Sequence, residues 1–305
     1  MKSLAFFALS AVTTAAMAVT IGQPGTITIS GSSSQALTVN EGTNVSNKAN
    51  ERSYANQNIA SNKGSITISG TSTQSSTLTN SQVNNEAHNP GDVAVQNLAS
   101  NVGTVVVQDT RDIWGNKIGG FSSQTANVSH ATVTNDARGG GSVDCGIDCD
   151  SGAQAHQSLA SNVGWTSITG TSTQNASVSG HATVENLAEG DKASAAQNLA
   201  SNYGHVTISG TSTQTAGVDS NSLLSNKAVG TNTVALQNVA SNYGNVTVSG
   251  SSTQWAYITG GATVTNLATG TNAMAIQNLA SNDACEPPPA FACIGFACNG
   301  SPYAY

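Results

Sequence analysis

"QNLASN" stands at residues 96–101, 197–202 and 277–282, and three near-copies share its plan: "QNIASN" at 57–62, "QSLASN" at 157–162 and "QNVASN" at 237–242. A motif of amides and small side chains that returns six times indicates a repeat protein. We divide the chain before each Gly that follows the motif. The units span residues 25–63, 64–102, 103–163, 164–203, 204–243 and 244–283.

The units have the composition of β-strands. Stretches such as "VTIS" at 206–209 and "TVTN" at 132–135 alternate apolar and polar residues, which is the period of a strand, and Gly, Asn, Ser and Asp fill the gaps as turns require. Aromatic residues make up only 5% of the chain and charged residues 8%, so a wide core is excluded. Each unit therefore predicts four short strands of a thin all-β protein.

The glutamines predict how the strands stack. Their spacing alternates between 17 and 22 or 23 residues outside the third unit, which suggests a half-unit of about twenty residues that forms one strand-turn-strand arch. Stacked arches would place identical amides about 4.7–4.9 Å apart in hydrogen-bonded ladders. We expect a cross-β-like β-solenoid of about twelve layers built from six repeats of about 40 residues. The predicted ladder residues are Gln35, Gln57, Gln74, Gln96, Gln124, Gln157, Gln174, Gln197, Gln214, Gln237, Gln254 and Gln277.

The third unit carries two insertions. The stretch from Gly103 to Gln124 is eleven residues longer than that from Gly164 to Gln174, and the stretch from Gln124 to Gln157 is ten longer than its counterpart in the next unit. Both additions fall in turns inside an arch. If the half-units stack, both insertions leave the same edge and form one outgrowth.

The segments outside the repeats indicate export. Residues 1–18 have a lysine, an apolar run and a final Ala-Met-Ala, which is the pattern of a signal peptide, and the apolar run is too short to span a bilayer. We therefore expect a signal peptide at 1–18, a solenoid at 19–283, and a Cys- and Pro-containing tail at 284–305 without the repeat. The predicted location is outside the cell.

The composition argues against several functions. The net charge is −7 and the nine Lys and Arg are scattered, so we expect no nucleic-acid binding. The five histidines occupy different positions in their units, and no metal-binding or nucleophile motif is present, so we predict no enzyme, no metal site and no cofactor.

Five cysteines remain as candidates for disulfides: Cys145, Cys149, Cys285, Cys293 and Cys298. In "DCGIDCDSG" we expect a local disulfide, because export favours oxidation, with calcium binding by the aspartates as the alternative. In the tail the pairing is open. The odd number leaves one thiol for a free or intermolecular role.

Hydroxyl rows suggest a second function. "TST" at 71–73, 171–173 and 211–213, with "SSS" at 32–34 and "SST" at 251–253, would form a regular row on a flat sheet. Such a row is compatible with a solenoid that binds ice or acts as an adhesin while monomeric. Thr also fills exposed strand faces simply by β-propensity.

The order in "GTNTVALQNVASNYGNVTVSG" (230–250) resembles the curlin repeat of bacterial curli, and the near-40-residue units, the long insertion and the cysteines near the C-terminus are similar to the major subunit of Fap-type functional amyloids. Both resemblances imply a secreted subunit of an amyloid-like fibre in a biofilm matrix, which passes an export pore with the help of chaperones. Stacked arches also end in unpaired strand edges, which template another chain unless they are covered. Self-assembly into a fibre is therefore the leading hypothesis.

Overall fold

The computed structural model describes residues 25–50, 53–111, 113–114, 117–139, 153–190 and 192–283. The predicted signal peptide and the predicted tail, with Cys285, Cys293 and Cys298, lie outside these ranges, as do Cys145 and Cys149.

The described chain folds into a β-solenoid, as the sequence predicts. Each turn of the chain supplies one strand to each of four parallel sheets, A to D, and then begins the next layer. We number the layers from the N-terminal end. Only strands, turns and bends occur in the described residues, and no helix there is long and apolar enough to span a membrane.

Sheets A and B contain the first two strands of each layer. Sheet A consists of β1 (Thr26–Ile29), β5 (Asn62–Ile68), β9 (Asn101–Val107), β15 (Asn162–Ile168), β19 (Asn202–Ile208), β23 (Asn242–Val248) and β27 (Asn282–Asp283). Sheet B consists of β2 (Ser32–Asn40), β6 (Thr71–Thr79), β12 (Phe121–Ser129), β16 (Thr171–Ser179), β20 (Thr211–Val218) and β24 (Ser251–Ile258).

Sheets C and D contain the third and fourth strands. Sheet C consists of β3 (Asn44–Asn50), β7 (Gln82–His88), β13 (Thr132–Arg138), β17 (Thr183–Glu189), β21 (Leu223–Val229) and β25 (Thr263–Thr269). Sheet D consists of β4 (Ala55–Ile59), β8 (Ala94–Leu98), β14 (Gln154–Leu159), β18 (Ser194–Leu199), β22 (Val234–Val239) and β26 (Met274–Leu279).

The stacking period is a whole repeat, so the prediction of about twelve layers is wrong. Gln174 lies beside Gln214 in sheet B, whereas Gln197 lies beside Gln237 in sheet D. The two arches of a repeat thus lie side by side in one layer instead of one above the other. The result is six layers and the start of a seventh, about 30 Å long at the usual strand spacing.

The third layer absorbs its insertions in two different turns. The first follows β9, precedes β12 and contains a short antiparallel hairpin of β10 (Thr110–Arg111) and β11 (Lys117–Ile118). The second lies between β13 and β14. Both fall inside arches, as predicted, but one belongs to sheets A and B and the other to sheets C and D. The expectation of a single edge is wrong because it depended on stacked half-units.

Inward side chains form columns of small and aliphatic groups. One cluster joins sheets B, C and D through residues such as Val178, Val184 and Leu199, and a second packs the alanines of sheets C and D, including Ala188 and Ala195, against each other. Because these residues are small, facing sheets approach closely and few aromatic residues are needed. Burial of about 25 cal/mol per Å² of apolar surface stabilises this narrow core.

The turn that opens each layer has an unusual backbone. The alanine of the "ASN" motif has a φ of +46° to +50° at Ala60, Ala99, Ala160, Ala200, Ala240 and Ala280. The left-handed region costs an L-residue about 1–2 kcal/mol. The methyl groups of Ala160, Ala200 and Ala240 are fully buried in the cluster of sheets B, C and D, and this packing offsets the backbone cost.

Candidate functional site

The predicted glutamines occupy two separate columns with different partners. In sheet D they bond to one another: Gln197 Nε2 donates to Gln157 Oε1 at 2.7 Å, and Gln237 Nε2 donates to Gln197 Oε1 at 2.8 Å. In sheet B they bond across to sheet A, where Gln174 Nε2 donates to Asn202 Oδ1 at 2.8 Å. Both columns point inward, and Gln174 and Gln197 are fully buried.

The final asparagine of the repeated motif is the centre of the sheet A network. Asn202 Oδ1 accepts from Asn162 Nδ2 at 2.8 Å as well as from Gln174, and Asn202 Nδ2 donates to Ser212 Oγ at 3.1 Å and Asn242 Oδ1 at 2.8 Å. One buried amide thus links three layers and two sheets. The same column contains Asn62, Asn101, Asn162, Asn202, Asn242 and Asn282.

A second asparagine column holds sheets C and D together. Asn186 Nδ2 donates to Asn226 Oδ1 at 2.8 Å in the next layer, and also to the carbonyl oxygens of Ala155 and Ala196 in sheet D. Fully buried backbone carbonyls thereby gain partners where the two sheets meet. The column contains Asn47, Asn85, Asn135, Asn186, Asn226 and Asn266.

The sequence analysis missed both asparagine columns. Their signal was present, because each asparagine recurs at the same interval as the glutamines. It was masked by the abundance of Asn in the turns. Only the structure shows that Asn202 faces a sheet B glutamine.

The outer face of sheet B carries hydroxyl groups in straight rows. Its strands point Ser72 and Gln74 inward and Thr71 and Thr73 outward, and parallel register places each outer residue beside its equivalent. One row contains Ser34, Thr73, Ser123, Thr173, Thr213 and Thr253. In the neighbouring row, Phe121 stands beside Thr171 and interrupts the hydroxyl groups. In the last layer, the rings of Trp255 and Tyr257 stack with their centroids 6.0 Å apart.

The outer face of sheet C carries ion pairs between neighbouring strands and within one strand. Lys227 Nζ lies 3.0 Å from Glu185 Oε1, and Arg138 Nε lies 2.7 Å from Asp136 Oδ2. Burial raises the pKa of the Asp136 carboxyl, while the hydrogen bond and charge of Arg138 act in the opposite direction. In the described part of the chain, no three His, Cys, Asp or Glu side chains are arranged to hold a metal ion.

The first and last layers form the two ends of the described part of the solenoid. Among the described strands, β1 to β4 have neighbours on one side only, and so do β24 to β27. The last layer also exposes inward-facing apolar side chains, with Ile258 at 39% and Leu279 at 40%. Unpaired edges of this kind are templates for another chain.

His156 gives the fold a defined pH response. It lies on the side of sheet D opposite the glutamines, between Val95 and Ala196, and burial lowers its pKa to about 4. The unfolded chain binds this proton near pH 6.5, so His156 lowers stability as pH falls from about 6.5 to 4. The loss is up to about 3 kcal/mol at 1.36 kcal/mol per pKa unit.

We therefore expect the change in the free energy of unfolding caused by His156→Val to be more favourable at pH 4.5 than at pH 7. Urea unfolding of both proteins at the two pH values measures this difference. Burial raises the pKa values of Asp92 and Asp136, so these two groups make the folded state more stable as the pH falls through the same range. Both proteins contain them, so their contribution cancels in the comparison. An equal effect of the substitution at both pH values would contradict the assignment.

Comparisons of the chain with protein-family models, with curated proteins and with solved structures gave no match.

Proposed function

We propose that the mature chain is a secreted, self-assembling structural subunit of an extracellular amyloid-like fibre, of the kind found in biofilm matrices and surface adhesion. The observation that carries the proposal is the pair of strand edges at the two ends of the described solenoid. Every layer repeats the same inward amides and aliphatic groups, so the last layer of one copy presents the partners that the first layer of another copy needs.

The resemblance to curlin and Fap-type repeats supports the same proposal, and so does the signal-peptide pattern at 1–18. In this proposal the chain crosses the outer membrane through an export pore, with chaperones, before it folds. The fibre itself needs no cofactor and no catalytic residue, because its work is mechanical.

The test is fibre formation by purified chain 19–305. We expect unbranched fibres by electron microscopy, with reflections at about 4.7–4.8 Å along the fibre axis and about 10 Å across it. Sonicated fibres should shorten the lag of fresh protein, since they supply more ends. Protein that stays monomeric for days at micromolar concentration, with or without seeds, would refute the proposal.

A monomeric ice-binding or adhesin function is the second candidate, and the hydroxyl rows of sheet B favour it. Thermal hysteresis of freshly diluted monomer tests it, with Thr173→Leu/Thr213→Leu as the variant that interrupts the row. Hysteresis that is lost in this variant would favour the alternative.

A further inference from the structure

The outer face of sheet B is flat and uncharged. Its outward residues come from β2, β6, β12, β16, β20 and β24, and in these six described strands none of them is Asp, Glu, Lys, Arg or His. Most of them are Ser or Thr. The outer face of sheet C, in contrast, carries charged side chains such as Lys48, Glu86, Glu185 and Lys227. Sheet B is therefore a surface on which two copies of the chain can meet without facing charges.

The size of this face matches that of a stable protein interface. Six strands about 4.8 Å apart, with up to nine residues at about 3.3 Å each, cover about 800 Å². A standard interface buries about 800 Å² on each partner. Because the chain has a net charge of −7, two copies repel each other, and the repulsion is weakest where the facing surfaces are uncharged.

We propose that two copies of this chain pair side by side through the outer faces of sheet B, so that the fibre contains two solenoids. This inference rests on the proposed self-assembly and adds a lateral contact to it. A two-fold axis along the stack brings the same face of both copies together and keeps both solenoids in one direction. The pairing then continues as layers are added.

The regular rows allow the two faces to interlock. Thr125 pairs in register with Ser75 on one side and Asn175 on the other, so each row repeats at the strand spacing of about 4.8 Å. Outward residues of one strand are about 6.6 Å apart, which leaves gaps for the small side chains of the facing copy. Uncharged strands of this kind form the dry interfaces of paired sheets. A hydroxyl group both donates and accepts, so facing hydroxyl groups satisfy each other when water leaves.

Phe121 supplies an apolar anchor on this face. It belongs to the third layer, between Thr71 and Thr171, and 38% of its surface is exposed. An aromatic side chain that protrudes from a face of small residues gains most when a partner covers it, and aromatic residues of this kind are common hot spots of interfaces. Trp255 and Tyr257 add two more exposed rings to the same face.

Thr125→Lys tests the pairing. Thr125 is the middle residue of β12, about 13 Å from either end of the strand, which is farther than a lysine side chain reaches. The pair would bury two like charges, which is unfavourable. We expect fibres of this variant to have half the mass per length of unaltered fibres in scanning transmission electron microscopy. The matched control Thr132→Lys lies in the same layer on the outer face of sheet C and should keep the full mass per length.

Phe121→Thr separates pairing from ice binding, which would use the same face. The substitution completes a hydroxyl row, so a surface that binds ice should gain thermal hysteresis. A pairing surface loses its anchor, and we expect the dissociation constant of the dimer, measured by sedimentation of freshly dissolved chain, to rise about tenfold. Stronger hysteresis with an unchanged dissociation constant would overturn the pairing.

The remaining outcomes distinguish the pairing from the proposed function. Unaltered fibres with one solenoid in cross-section, or Thr125→Lys fibres that keep two, would overturn the pairing and leave self-assembly intact. Absence of fibres from the unaltered chain would overturn the proposed function. In that case, dimers that are lost in Thr125→Lys and kept in Thr132→Lys would still support the pairing, whereas a monomeric unaltered chain would overturn it. Circular dichroism checks that the two lysine variants fold alike.

Discussion

Gly204→Ala is expected to destabilise the protein by about 2–6 kcal/mol, the sum of backbone strain and overpacking. Gly204 has a φ of +116°, which an alanine rarely adopts, and an added Cβ would lie 2.5 Å from the carbonyl oxygen of Gly164 in the layer above. The obstacle is backbone, so it cannot rotate away. The same close approach recurs at Gly64, Gly103 and Gly244.

Thermal and urea unfolding of dilute monomer measure this loss, and Gly217→Ala is the matched control. Gly217 lies in the outward row of sheet B, its φ is outside the left-handed region, and an added Cβ meets nothing within 4 Å. There the substitution should be neutral or stabilise by about 0.4–1 kcal/mol, because it restricts the unfolded chain. Equal effects at the two glycines would contradict the close contact between layers.

Asn202→Leu is the second large loss that we expect, at about 3–6 kcal/mol. It removes a side chain that makes four buried hydrogen bonds and leaves Gln174 Nε2 and Asn162 Nδ2 without their acceptor. Each buried group left unsatisfied costs about 1–3 kcal/mol. The leucine also introduces branched apolar volume among polar groups.

Asn175→Leu provides the control, since Asn175 lies on the exposed face of sheet B in the same layer as Gln174. We expect it to change the free energy of unfolding by no more than about 0.5 kcal/mol. Urea unfolding measures both changes, and their ratio shows how much the amide network contributes to the free energy of unfolding. A loss at Asn202 no greater than that at Asn175 would show that the network contributes little.

The sequence was sufficient to predict the all-β class and the solenoid, because a repeat that cannot bury its own faces must stack. The layer count was wrong for a physical reason. The two half-units resemble each other in having a Gln between small residues, but the Gln of "TSTQ" bonds to an asparagine of another sheet, whereas that of "ALQN" bonds to its own copy. The unequal spacing of 17 and 23 residues around Gln214 was the signal that the halves are not interchangeable.

The ends were less accessible to sequence reasoning. The break in periodicity after residue 283 is visible in the sequence, but the exposure of inward-facing side chains such as Leu279 in the last described layer is visible only in the structure.

The whole-repeat register has a further consequence for how the chain folds. Every ladder of sheets A to D joins residues at least 38 positions apart, as in the pair Asn44 and Gln82, so one repeat alone forms none of the interstrand bonds of these four sheets. Closing such long loops costs entropy before any bond repays it, and proteins dominated by distant contacts fold slowly. The shortest segment of chain that can form these ladders therefore spans two layers.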